Sequence, residues 1–162
     1  MNTASLLFAG ACALVLAAAA TAAPPSGDKP AAAVSGCATQ VEATDMMQFD
    51  VGSIAIPASC TTFRITLKHV GKLPVTVMGH DLVIARAADM QAIVTDGIAA
   101  GAAGNYLKPG DARVIAHTKL VGGGQSDTVS IPVGKLKNGG PYAFFCSFPG
   151  HSAIMKGTLS VG

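Results

Sequence analysis

The chain has no tryptophan, and aromatic residues make up only 5% of its 162 positions. Charge is scarce as well: charged residues are 12% and the net charge is +2. Binding to a phosphate backbone draws on clustered Lys and Arg. No basic cluster with interleaved aromatics occurs, so the sequence offers no nucleic-acid surface. Residues 122–124 are all glycine, but no Lys-Ser/Thr follows and no helix opens there, so no phosphate loop is present. There is no internal repeat and no tract rich in Met or His. The six Met are scattered, and four His in total cannot supply several metal ions with a cluster each.

What the chain has in quantity is apolar material, half of all residues. At this length that suffices for the core of one domain plus a targeting segment. Residues 6–20 form an unbroken apolar run, and Ala20-Thr21-Ala22 fits a small-x-small cleavage pattern. Residues 1–22 therefore read as a secretory signal, although no Lys or Arg stands in the first five positions. Cys12 lies inside the apolar run and not at its end, which argues against lipidation. Residues 23–35 are rich in Pro and Ala without a periodic apolar face, and read as a leader or tether. The folded domain is expected over residues 36–162.

Export sharpens the cysteine arithmetic. Cys12 leaves with the signal, and Cys37, Cys60 and Cys146 remain. Two should pair, and Cys37 and Cys60 are near each other in sequence. Cys146 is then left over, and an unpaired thiol in an oxidising compartment is a liability unless something occupies it.

From Cys37 onward the chain reads as short strands broken by Gly, Pro, Asn and Asp. Phe63, Ile65 and Leu67 alternate with Arg64, Thr66 and Lys68, the pattern of a half-buried strand. Further strands are expected at residues 75–77, 82–85, 113–116, 127–131, 142–146 and 158–161. This is an all-β chain of the sandwich or barrel class. One stretch departs from the pattern. Residues 87–100, AADMQAIVTDGIAA, read as a short helical insertion ended by the glycines of 101–104.

The chemistry concentrates in YAFFCSFPGHSAIMKG, residues 142–157. Cys146, His151 and Met155 are spaced C-x4-H-x3-M. A strand delivers Cys146, and Pro149 and Gly150 let the chain turn so that His151 and Met155 fall on the returning side. Thiolate, imidazole and thioether together select copper or zinc over magnesium or calcium. Two His and one Cys with a weak axial Met is the donor set of electron-transfer copper. A second histidine must come from elsewhere: His69, His80 or His117. His80 follows Gly79, whose lack of a side chain lets the backbone approach closely.

The segments VMGHD, AADMQ, VTDG, YLKPGDARVIAHTKL and FFCSFPGHSAIMKGTL carry a more specific signal. Through them, residues 37–162 resemble the azurin branch of the cupredoxin family, the bacterial blue copper proteins. The resemblance implies a Greek-key β-sandwich with a short helical flap and a Cys37–Cys60 disulfide. It implies one copper ion on His80, Cys146 and His151, with Met155 sulfur and the Gly79 carbonyl as distant axial contacts. It implies an electron-transfer patch around the His151 edge, matched here by Met47, Leu73, Met78, Ile98, Phe148 and Pro149. His69 and His117 match family histidines that are not ligands.

Two positions depart from that pattern. Leu82 stands where the family usually has a buried Trp, so the core must repack or leave a void. Asp81 stands where the family usually has an Asn that ties the ligand loops together, and an ionised Asp cannot donate a hydrogen bond. The function implied is that of a monomeric periplasmic electron carrier cycling between Cu(I) and Cu(II). Its partners would be redox proteins such as c-type cytochromes or periplasmic reductases, with no small-molecule substrate. A copper oxidase or reductase would need an open coordination position, and a copper chaperone would favour exposed Met/His tracts.

Overall fold

The computed structural model describes Met1, residues 29–136 and residues 139–162. The expected signal at residues 1–22, apart from Met1, lies outside the described residues, as does the start of the expected leader.

Among the described residues, ten strands form two five-stranded sheets. The first sheet contains β1 (Val34–Ser35), β2 (Ala38–Thr44), β3 (Gln48–Phe49), β5 (Thr62–His69) and β8 (Ser126–Pro132). The second contains β4 (Ser53–Ile56), β6 (Val83–Arg86), β7 (Ala116–His117), β9 (Tyr142–Phe145) and β10 (Lys156–Val161). The orders are β1-β2-β5-β8, with β3 also on β2, and β4-β10-β9-β6-β7. Both sheets are mixed: β2–β5 and β4–β10 are parallel pairs, and the remaining pairs are antiparallel. The chain crosses repeatedly between the sheets, giving the Greek-key sandwich that the resemblance implied.

Period-2 patterning explains the core. Phe63, Ile65, Leu67 and His69 of β5 are buried, while Thr62, Arg64 and Lys68 are exposed. Phe63, Ile65 and Leu67 share one apolar cluster with Phe49, Leu82, Ile84, Phe144 and Leu159, which places Leu82 in the main core with no exposure. Phe49 and Phe144 pack with ring centroids 5.6 Å apart. Strands β6 and β9 are buried on both faces because a helix covers the outer one. Val83, Ala85, Ala143 and Phe145 meet Ile93 and Val94 of α2 (Met90–Ala100), with Leu107.

Two strand expectations are corrected. Residues 75–77 are not a strand; they lie in a helical turn, α1 (Val75–Met78). β-branched residues favour strands only where a neighbouring strand can pair, and here the N–H groups of Val77 and Met78 both donate to the Pro74 carbonyl. Of residues 113–116 only Ala116 pairs, in the two-residue β7. Arg113 is instead held by Asp111 and Asp96. Residues just upstream of Gly36 also bond to the sheets. Gly52 N–H donates to the Pro30 carbonyl at 2.9 Å, Ala32 N–H to Ser53 at 2.8 Å, and β1 pairs with β2. A Pro/Ala segment without apolar periodicity can still satisfy the backbone groups of a strand edge. The helical insertion at 87–100 is present as a 3-10 turn at Ala87–Asp89 running into α2.

The disulfide joins Cys37 to Cys60, leaving Cys146 as the free, buried cysteine among the described residues.

Candidate metal centre

Two connections meet at one end of the sandwich. The first runs from α1 through Gly79 to His80, where the chain is fixed by a two-way bridge: His80 N–H donates to Val121 at 3.0 Å and Val121 N–H to His80 at 2.8 Å. The second leaves β9 at Cys146 and returns at Met155. Its turn is closed by His151 N–H on the Phe148 carbonyl at 3.0 Å and Met155 N–H on the His151 carbonyl at 2.8 Å. Cys146 N–H donates to the Met155 carbonyl at 3.0 Å, so the loop shuts on itself. Gly150 takes φ 83°, a left-handed conformation that glycine adopts freely, and it makes the turn tight.

The side chains converge. Cys146 Sγ lies 3.9 Å from His80 Nδ1 and 3.6 Å from His151 Nδ1, and the two Nδ1 atoms are 3.2 Å apart. Metal–nitrogen bonds of about 2.0 Å and metal–sulfur bonds of about 2.3 Å in a trigonal plane require nitrogen–nitrogen and nitrogen–sulfur separations of roughly 3.5 and 3.7 Å. The observed triangle therefore has the dimensions a single ion needs. All three residues are buried. Met155 is fully buried, and the Gly79 carbonyl oxygen lies 4.0 Å from Cys146 Sγ. A side chain at Gly79 would crowd the Val75 carbonyl and come within 3.1 Å of the Phe148 ring, so this approach requires glycine.

The protonation states suit a ligand set. His80 Nε2–H donates to the Thr44 carbonyl at 2.9 Å, which fixes the tautomer and leaves Nδ1 as the lone-pair donor. Burial pushes the His80 pKa down to about 4, and burial also lowers that of His151, so both imidazoles are held toward the neutral form. Burial pushes the Cys146 thiol well above its ordinary value, with the Asp81 charge adding to the effect. The thiol therefore keeps its proton until a cation replaces it.

Asp81 ties the two connections together as an acceptor. Its Oδ1 receives the Ser147 N–H and its Oδ2 the Ser147 hydroxyl, both at 2.6 Å. The sequence expectation that an Asp cannot donate is correct, but both donors come from Ser147. Burial raises the Asp81 pKa to about 6, against the lowering pull of those two hydrogen bonds.

The remaining histidines sit apart from the donor triangle. His69 is buried beside His80 with ring centroids 4.5 Å apart, and its Nε2 is 3.1 Å from Asp45 Oδ1. His117 is exposed, and its Nδ1–H donates to the Thr118 carbonyl at 2.9 Å. Of the expected patch, Ile98, Leu73 and Pro149 are exposed, and Met47, Met78 and Phe148 are partly so. Phe148 packs on His151 with centroids 4.6 Å apart. Beyond the expected set, Met46, Val70, Val77 and Ile154 are also exposed, and of these Val77 at 56% and Ile154 at 53% exposure adjoin Met78 and Met155. In the sequence a β-branched residue directly precedes each of these two Met.

Comparison with known proteins points the same way. Residues 35–162 match the family described as copper binding proteins, plastocyanin/azurin family. The chain is 55% identical over 125 residues to azurin of Pseudomonas denitrificans, covering 77% of this chain and 98% of that protein. It is 56% identical over 125 residues to azurin of Bordetella pertussis, covering 77% and 83%. It is 54% identical over 126 residues to azurin-2 of Alcaligenes xylosoxydans xylosoxydans, covering 78% and 98%. With its buried Cys-His-His triangle at one end of a β-sandwich, the chain belongs to the plastocyanin/azurin family of copper-binding proteins.

Proposed function

We propose that the chain is a periplasmic carrier of single electrons, with one type 1 copper ion held by His80, Cys146 and His151. Met155 sulfur and the Gly79 carbonyl would be weaker contacts to that ion. The observation that carries the assignment is the preformed triangle of one sulfur and two Nδ1 atoms, all buried, with the His80 tautomer already fixed. When bound, copper supplies one-electron chemistry between Cu(I) and Cu(II), and soft sulfur with two imidazoles suits both states.

The protein's part is to hold that set still. Cys146 is fixed by its backbone bond to Met155 and by Asp81 acting through Ser147. His80 is fixed by Thr44 and Val121. Ligands that do not move between oxidation states keep the reorganisation small. Cys146, Met155 and His80 are fully buried and His151 nearly so, which keeps bulk water and substrates away from the donor atoms. The reading is therefore a carrier and not an enzyme.

Electrons enter and leave through the His151 side. Phe148, Met78, Leu73, Ile98, Met47 and Pro149, with Val77 and Ile154, give an apolar surface there. Such a surface allows close but short-lived contact with c-type cytochromes or reductases. The chain acts as a monomer in these encounters. Stopped-flow mixing of copper-loaded protein with a reduced c-type cytochrome tests this reading. Ile98→Lys and Ile154→Lys should each slow the reaction roughly tenfold, as loss of an apolar hot spot does. Unchanged rates in both variants would move the docking face elsewhere.

A further inference from the structure

The helical insertion leaves the sheet after β6, forms α2, and returns through residues 101–107 to the edge of the metal pocket. At its tip two consecutive residues other than glycine adopt the left-handed conformation: Asn105 at φ 52° and Tyr106 at φ 54°. Asn tolerates this region, whereas a bulky Tyr does so only when its surroundings enforce it. Those surroundings are visible. The Tyr106 N–H donates to the Gly101 carbonyl at 3.0 Å, and the next residue, Leu107, is buried against α2. The Tyr106 carbonyl lies so close to α2 that a side chain at Gly97 would collide with it.

From this pinned backbone the Tyr106 ring reaches the edge of the metal pocket. It meets Phe148 edge-on, with centroids 5.1 Å apart and planes at 71°. Phe148 in turn packs on His151 and stands over Gly79. Contact therefore runs from α2 through the Tyr106 backbone and ring to Phe148, and from there to the proposed ligand His151 and the Gly79 backbone.

We infer that Tyr106 is a positioning residue for the metal pocket: through the helical insertion it holds the Phe148 ring over His151 and Gly79 and so closes the pocket around Cys146 to solvent. The inference deepens the copper reading, but its main test does not depend on copper. A thiol reagent such as a disulfide of nitrothiobenzoate is added to the metal-free protein, and modification of the Cys146 peptide is followed by mass spectrometry. Tyr106→Ala should react about fivefold faster than the parent, the change expected when one edge-to-face aromatic contact is lost. Tyr106→Phe, which keeps the ring, should react at the parent rate.

A distant core variant, Ile131→Val, controls for global loosening. If it is labelled as fast as Tyr106→Ala, opening is global and the inference fails. It also fails if Tyr106→Ala keeps the parent rate, or if Tyr106→Phe matches Ala. In copper-loaded protein, Tyr106→Ala should lower the reduction potential as water nears the site, and Tyr106→Phe should restore it. If the parent shows no blue band at all, the copper reading fails while the labelling result still decides the role of Tyr106.

Discussion

Replacing Asp81 with Asn isolates the effect of one buried charge on the fold. Asn can keep both links to Ser147, since its carbonyl can accept the Ser147 N–H and its amide can donate to the hydroxyl oxygen. What changes is ionisation. Burial raises the Asp81 pKa from 3.8 to about 6, so the carboxylate ionises more readily in the unfolded chain than in the fold. The sign follows. Below pH 3.8 both states are protonated and Asp81 costs nothing. As pH rises toward 6 the unfolded chain is stabilised first, and above pH 6 the whole penalty is present. Its size is about 3 kcal/mol, at about 1.4 kcal/mol for each tenfold change in proton affinity. Roughly 2 kcal/mol of that develops between pH 4.5 and 7.5. Urea unfolding of metal-free wild type and Asp81→Asn at those two pH values measures it. The variant should gain about 2 kcal/mol on wild type between them, roughly 1 M in urea midpoint. Other titrating groups are common to both proteins and cancel in the comparison. A stability difference that does not change with pH would refute the reasoning. So would an advantage that shrinks as pH rises, for then the Ser147 donors outweigh burial. In copper-loaded protein the same substitution removes a negative charge near Cys146 and should raise the reduction potential; an unchanged or lower value by voltammetry would contradict this.

Breaking the disulfide as Cys37→Ala with Cys60→Ala reopens a loop of sequence separation 23. Chain entropy puts the loss at about 3 kcal/mol, read as a lower urea midpoint in metal-free protein. Gly157→Ala would drive a methyl group into the Phe144 ring and toward the Gly52 carbonyl at 2.6 Å, beside the strand that delivers Cys146. Overpacking of this kind should cost about 1–3 kcal/mol in a thermal or urea melt, and a neutral result would mean that the Phe144 ring yields freely.

Much of the metal site was legible because its parts are local in sequence. Cys146, His151 and Met155 sit within one ten-residue turn, and Gly79 next to His80 marks a close backbone approach. The alternation of Phe63, Ile65 and Leu67 made β5 plain. β2 was harder to see because its inward positions are Thr39, Val41 and Ala43, which carry little apolar contrast. Residues 75–77 misled because β-branched side chains suggest a strand wherever they occur, while the capping role of Pro74 shows only in the folded chain. Spacing alone could not choose between His69 and His80. The choice lies in contacts made across the fold: His80 bonds to Thr44, 36 positions away, and His69 bonds to Asp45, 24 positions away. Asp81 was recognised as a departure, but its partner Ser147, 66 residues on, was not. Tyr106 opens the YLKPGDARVIAHTKL segment, but neither its left-handed backbone nor its contact with Phe148 is marked in the sequence.

The central claim is that Cys146, His80 and His151 together hold one copper ion as a thiolate site. Titrating Cu(II) into the purified metal-free protein while recording the visible spectrum tests it directly. An intense blue thiolate-to-copper band should grow until one ion is bound per chain, bleach on reduction, and be missing in Cys146→Ser. A pale spectrum of tetragonal Cu(II), or a blue band that survives in Cys146→Ser, would contradict the account.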